Sequence, residues 1–200
     1  MDKSSALVIV DMQVDFCPGG SLAVPGGDKI IPAINRYIEM FARAGLPVFA
    51  TRDWHPEVTR HFREFGGLWP SHCVQNTEGA RFHPDLRLPG GVVICSKGMD
   101  PERDDYSAFR ARNAEGVQCC DLLRDLGVKI LYIGGLATDY CVRETTLDAL
   151  HAGLEVVVLT DAVRGVDLTP GDSARALERI VTAGARTVTL ADLERKDESD

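Results

Sequence analysis

The chain has no excess of positive charge: 22 Lys+Arg stand against 30 Asp+Glu, a formal net charge of −8. That balance excludes a protein built to grip nucleic acid, whose phosphates require basic patches. No stretch approaches the roughly 18 consecutive apolar residues that cross a bilayer, so no membrane span is expected. The opening residues, MDKSSALVIVDMQVDF, hold an apolar run too short for the hydrophobic region of a secretory signal. Glycine (19) and proline (10) are too few, beside abundant Val, Ile and Leu, for a disordered chain. No fixed-period repeat is visible. What is present is a 200-residue chain with 44% hydrophobic residues, expected to fold as one domain over 1–200. A chain of this size buries roughly 70% of its unfolded surface and needs no covalent staples. A cytoplasmic location follows as the expectation. The six cysteines (17, 73, 95, 119, 120 and 141) then read as reduced thiols, most of them small buried hydrophobes.

Short β-branched runs recur at 6–11, 47–51, 91–96, 129–134, 155–160 and 187–190. Most are apolar at every position, as in strands buried on both faces. Helical patterns separate several of them. Residues 28–44 place Ile30, Ile34, Ile38 and Phe41 at three- and four-residue spacing, with Gly45 as the stop. Segments 116–126, 141–152 and 171–183 end likewise at Gly127, Gly153 and Gly184. The last follows Thr169-Pro170, a cap and first-turn signal. This alternation predicts an α/β fold: a three-layer α/β/α sandwich around a mostly parallel, Rossmann-like sheet of six strands. Residues 53–90 show no periodicity yet carry four of the five histidines and both tryptophans, the composition of a functional loop rather than a linker. Residues 193–200, ending ERKDESD, are expected to form a solvated or frayed tail.

In open parallel sheets, sites form beyond the carboxyl ends of the strands. Asp11 ends the first run, Asp53 follows the second, Lys97 ends the third, and Gly135 to Cys141 follow the fourth. Cys141 is the one cysteine at a strand–bend–helix junction, where free N–H groups and the helix dipole favour a thiolate and hold an oxyanion. Such a nucleophile needs a base and a supporting charge, for which Asp11 and Lys97 are the candidates. Each alone has an ordinary reading, as a turn cap or a solvated lysine. No histidine sits at a strand end, which disfavours a Cys–His pair. In DWHPEVTRHF and LWPSHCV, Asp53 and His55 are two apart and share one side of an extended backbone; His72 and His61 are further donors. Carboxylate and imidazole suit Zn²⁺, Fe²⁺ or Mn²⁺, with positions left open for water or substrate. Phe16 and Trp69 could sandwich a flat ring, although ordinary packing explains them as well.

Together these blocks resemble the nicotinamidase/pyrazinamidase branch of the isochorismatase-like cysteine hydrolases, along nearly the whole chain. The matching blocks are IVDMQVDFCPGGSLAV, TRDWHP, WPSHCVQNTEGARFHP, Lys97-Gly98, YSAF (106–109) and GLATDYCV. The resemblance implies Asp11, Lys97 and Cys141 as the catalytic triad. It implies Asp53, His55 and His72 as ligands of one divalent metal, Zn²⁺ foremost, and matches His61 to a fourth histidine seen in some members. Phe16 and Trp69 match aromatics that hold a pyridine ring, and Tyr106 a further pocket residue. Leu136-Ala137 matches a cis bond lining the substrate pocket, with the Ala137 and Cys141 N–H groups as the oxyanion hole. The implied reaction is hydrolysis of nicotinamide, or a pyrazinamide-like analogue, to the acid and ammonia through a Cys141 thioester, in NAD salvage. Its partner is then a small heteroaromatic amide, and the exposed edge of such a sheet makes a homo-oligomer reasonable. The rivals are relatives on the same triad, such as isochorismatase, N-carbamoylsarcosine amidase and ureidoacrylate hydrolase. They look unlike Asp53-x-His55 with a following His72. A non-catalytic binding module would require a lost triad member, and none is lost.

Overall fold

The computed structural model describes residues 2–197. Six strands, β1 (Ser5–Val10), β2 (Val48–Asp53), β3 (Val93–Lys97), β4 (Ile130–Leu136), β5 (Glu155–Arg164) and β6 (Arg186–Val188), form one sheet in the order β3-β2-β1-β4-β5-β6. Every neighbouring pair is parallel, where a mostly parallel sheet was expected. Helices α1 (Ile31–Arg43), α2 (Cys119–Asp125), α3 (Arg143–His151), α4 (Asp172–Thr182) and α5 (Leu190–Asp197) complete the layers.

The unbroken apolar run of β1 is explained by burial of all its residues. Leu7 and Ile9 pack toward Ile34, Tyr37, Ile38 and Phe41 of α1 and Leu193 of α5. Ala6, Val8 and Val10 face Leu123 of α2, Ala149 of α3 and Ile180 of α4. Successive strand residues point to opposite faces, so a strand covered on both sides must be apolar throughout. Each fully buried Val, Leu or Ile contributes about 1.5–3 kcal/mol relative to exposure.

Helix α1 starts after a 3₁₀ turn at Gly27–Ile30 and ends where Gly45 takes φ 66°. There Leu46 N–H reaches Phe41 O at 2.9 Å and Gly45 N–H reaches Ala42 O at 3.1 Å, the bond pair of a left-handed helix stop. Helix α4 starts from Gly171 instead, while Asp172 accepts the Thr169 N–H at 2.9 Å. Strand β5 runs beyond the apolar stretch 155–160 to Arg164, across a register shift opposite Gly134. Its polar Asp161 hid that extension: the carboxylate accepts the Tyr37 hydroxyl at 2.7 Å and the Leu190 N–H at 2.9 Å. The tail expected to be frayed from 193 differs too. Residues to Asp197 continue α5, anchored by buried Leu193, and 198–200 lie outside the described residues.

Strand order reverses direction between β1 and β4, which opens a crevice at their carboxyl ends. Asp11, Asp53, Lys97 and Cys141 all stand at that end of the sheet.

Candidate active site

Register brings the charged groups together. Asp53 and Lys97 are Cα partners across β2 and β3, and the Asp11 N–H bonds Thr51 O at 3.2 Å across β1 and β2. Lys97 is buried, and its Nζ lies 2.8 Å from Asp11 Oδ2, against Asp53 Oδ1, and 3.3 Å from Cys141 Sγ. Asp11 Oδ1 accepts the Thr51 hydroxyl at 2.7 Å. A buried ammonium survives only when such partners replace its water. Asp11, Asp53 and Cys141 offer ligand atoms within 4.8 Å of one another, but the Lys97 ammonium is already the cation among them.

Burial would neutralise Lys97, yet Asp11 and Asp53 hold its pKa well above the ordinary lysine value. Burial also raises both carboxyls. At Asp53 the Lys97 charge and the His55 contact outweigh it and hold the group well below the usual carboxylate range. At Asp11 burial wins over Lys97, and the pKa is raised. Two carboxylates around one ammonium thus part company, one a fixed anion and the other suited to carrying a proton. Burial likewise pushes the Cys141 thiol well above its ordinary value, against the pull of Lys97. The thiolate-favouring helix start expected for Cys141 is therefore overridden. Cys141 sits in a π turn, Thr138–Val142, that precedes α3, and desolvation dominates.

His55, His61 and His72 each offer a nitrogen within 4.8 Å of the others, all from buried side chains. Every Nδ1 is engaged: His55 with Gly98 O at 2.9 Å, His72 with Pro70 O at 2.7 Å, and His61 with an Asp104 carboxylate oxygen. A ring that donates from Nδ1 to an acceptor leaves its Nε2 lone pair free for a metal. His55 Nε2 is buried without a hydrogen-bond partner, while Asp53 Oδ2 stands 3.7 Å from it and 4.0 Å from His72 Nε2. Burial, opposed by Asp53, lowers His72 to about 4, so the ring is neutral near pH 7. A borderline cation such as Zn²⁺ fits this donor set of neutral imidazoles and one carboxylate.

A pocket opens onto both groups. Phe16, Trp69, Tyr106, Leu136 and Ala137 line it together with Cys141, Asp53, His61 and His72. The Leu136–Ala137 peptide is cis. Trp69 Nε1 donates to the Tyr106 hydroxyl at 3.0 Å, and Tyr140 meets the Trp69 ring edge-on at 4.9 Å. The five cysteines besides Cys141 are also free, and none of them lines this pocket.

Several contributors escaped the sequence reading. The Gln13 amide accepts the Asp53 N–H at 2.7 Å and donates to Asp53 O at 2.8 Å and Ala80 O at 2.9 Å, so it aims Asp53. Asp15 accepts the Cys73 N–H at 2.7 Å, pinning the chain beyond His72. Asp139 accepts the Val166 and Asp167 N–H groups at 2.9 and 2.8 Å, which sets Val166 in the pocket wall. Gln13, Asp15, Thr51 and Asp139 stand inside the resembling blocks, their one signal; Asp104 and Val166 had none.

Residues 5–192 match the isochorismatase domain family. The nicotinamidase of Escherichia coli (strain K12) is 43% identical over 205 residues, covering 94% of this chain and 96% of that protein. The pyrazinamidase of Pyrococcus horikoshii, solved in complex with zinc, is 51% identical with a TM-score of 0.86, covering 94% of this chain and 99% of its own. A protein from L. infantum solved in complex with nicotinate is 34% identical with a TM-score of 0.83, over 94% of each chain.

Proposed function

The chain belongs to the isochorismatase domain family, and from that premise we propose that it is a nicotinamidase. It hydrolyses nicotinamide, and pyrazinamide-like analogues, to the carboxylic acid and ammonia. The observation that carries this reading is one pocket reached by two buried groups: Cys141 in its wall with Lys97 and Asp11 behind it, and His61 and His72 in its wall with His55 packed against them. The first group suits acyl transfer from an amide. The second suits a metal ligand set that also reads a heteroaromatic nitrogen. The zinc and nicotinate complexes of the two similar proteins support the same assignment.

Asp53, His55 and His72 would hold one divalent metal, Zn²⁺ foremost, with Fe²⁺ and Mn²⁺ suited to the same donors and His61 as a further donor. When bound, the ion supplies a Lewis-acid anchor for the ring nitrogen, directly or through water. Phe16 and Trp69 enclose the ring, with Tyr106 holding the Trp69 indole. Asp11 takes the Cys141 thiol proton while Lys97 stabilises the resulting anions. Cys141 Sγ adds to the carboxamide carbon, and the Ala137 and Cys141 N–H groups hold the oxyanion. As the C–N bond breaks, Asp11 returns the proton to the leaving ammonia, and a thioester remains. Asp11 then takes a proton from water, which attacks the thioester; as the C–S bond breaks and the acid leaves, Asp11 returns that proton to Sγ and the thiol is restored. A place in NAD salvage, in the reducing cytoplasm that six free cysteines suit, completes the proposal.

The test is ammonia release from nicotinamide, pyrazinamide and N-carbamoylsarcosine by the parent protein and Cys141→Ala. Turnover of the two heteroaromatic amides that vanishes in the variant is expected. Preference for N-carbamoylsarcosine, or parental turnover by Cys141→Ala, would overturn the assignment.

A further inference from the structure

The three histidines are anchored in two ways. His55 and His72 set Nδ1 against backbone carbonyls, whereas His61 sets it against a side chain, the Asp104 carboxylate. Asp104 comes from the segment after β3, 43 residues further along the chain. That segment is held independently of His61. Its Asp105 is nine-tenths buried, with Arg103 at 3.4 Å and Arg110 at 3.7 Å. Residues 59–61 are laid against it: the Arg60 N–H bonds Pro101 O at 2.9 Å, the Thr59 hydroxyl bonds the same oxygen at 3.3 Å, and the Arg60 guanidinium pairs with Glu102 at 3.0 Å. His61 then stacks on His55, ring centroids 4.6 Å apart.

We propose that Asp104 is a positioning residue of the metal centre, fixing the His61 tautomer so that Nε2 faces the ion beside His55, His72 and Asp53. The proposal rests on the reading of these histidines as a metal site. An imidazole free to choose its tautomer presents an N–H to the metal part of the time; the Asp104 acceptor removes that state. Its negative charge also makes His61 a stronger donor than the carbonyl-anchored rings. The His61 ligand is thus supplied jointly by two loops, and the 101–104 segment belongs to the metal site although it contains no ligand.

The experiment is Zn²⁺ affinity of the purified full chain, read by competition with a chromophoric chelator. Asp104→Ala should bind Zn²⁺ roughly 10–100-fold more weakly. Asp104→Asn, whose amide oxygen still accepts the bond, should lose less. His61→Ala should lose at least as much as Asp104→Ala, and the double variant no more than His61→Ala alone. Parental affinity in Asp104→Ala, or the same fold-loss from that substitution when His61 is already alanine, would overturn the proposal. His55→Ala separates the two layers. If it too binds like the parent, the metal-site reading has failed; if it loses the ion while Asp104→Ala does not, only the role of Asp104 has.

Discussion

Asp11 and Asp53 both face Lys97, yet their protonation is pushed in opposite directions: up by burial at Asp11, down by Lys97 and His55, against burial, at Asp53. Only the raised group is matched to carrying a proton. Asp11→Asn is therefore expected to lower kcat by roughly 10²–10⁴-fold. KM for nicotinamide should change little, because Asp11 does not line the pocket. Asp11 must be ionised to accept the thiol proton, so kcat/KM falls as pH drops through its folded-state pKa. Since that value is raised, the acid limb should lie above the ordinary 3.8. A rate that stays level down to pH 4 would contradict the role. Asp11, Lys97 and Cys141 were legible as residues because strand ends in a parallel sheet converge. Thr51 and Asp104 were not, because a single polar residue carries no mark of its partner. Asp104 lies within DPERDD, a run that reads as a solvated charge cluster until His61 is seen beside it.

At the scale of elements, the site depends on strand register and on where backbones approach. Gly135 lets β4 run tightly along β1: it has φ 120°, and a Cβ there would lie 2.1 Å from Val10 O. Backbone cannot yield as a flexible side chain can. Gly135→Ala should lower the urea midpoint by an amount equivalent to about 1–3 kcal/mol or more. Gly98→Ala makes a contrasting case, since its Cβ would meet His55 Cε1 at 2.4 Å. Displacing that ring should weaken Zn²⁺ binding, and isothermal titration would show whether affinity falls. Most elements were readable from apolar runs and glycine stops. The far end of β5 was not, because Asp161 interrupts the apolar pattern where the helices α1 and α5 supply its partners.

Across the whole molecule, binding of the proposed metal would be linked to folding. A metal that binds only the folded chain stabilises it by about 2.7 kcal/mol at a hundredfold excess over Kd. Chelation should lower Tm by roughly 5–10 °C at this chain length. Scanning calorimetry with and without chelator measures it. In the metal-free protein His72 adds a pH dependence. Burial lowers its folded pKa from 6.5 to about 4, so below 6.5 the unfolded chain takes up a proton that the folded one refuses. Its share of stability is complete above 6.5 and is lost progressively as pH falls to about 4.

By itself the sequence determined the layered α/β fold and which residue types stand at the strand ends, because burial on both faces imposes an unbroken apolar run and helix periodicity imposes the rest. Local spacing also marked the segment 53–90 as more than a linker. Only the tertiary structure decided how these groups behave. It set the opposite shifts of two similar carboxyls and the thiol that burial keeps protonated. It also set His55 Nδ1 against Gly98 O and brought Asp104 to His61. Those properties arise from desolvation and from partners tens of residues away along the chain, and neither is written in the neighbourhood of any one residue.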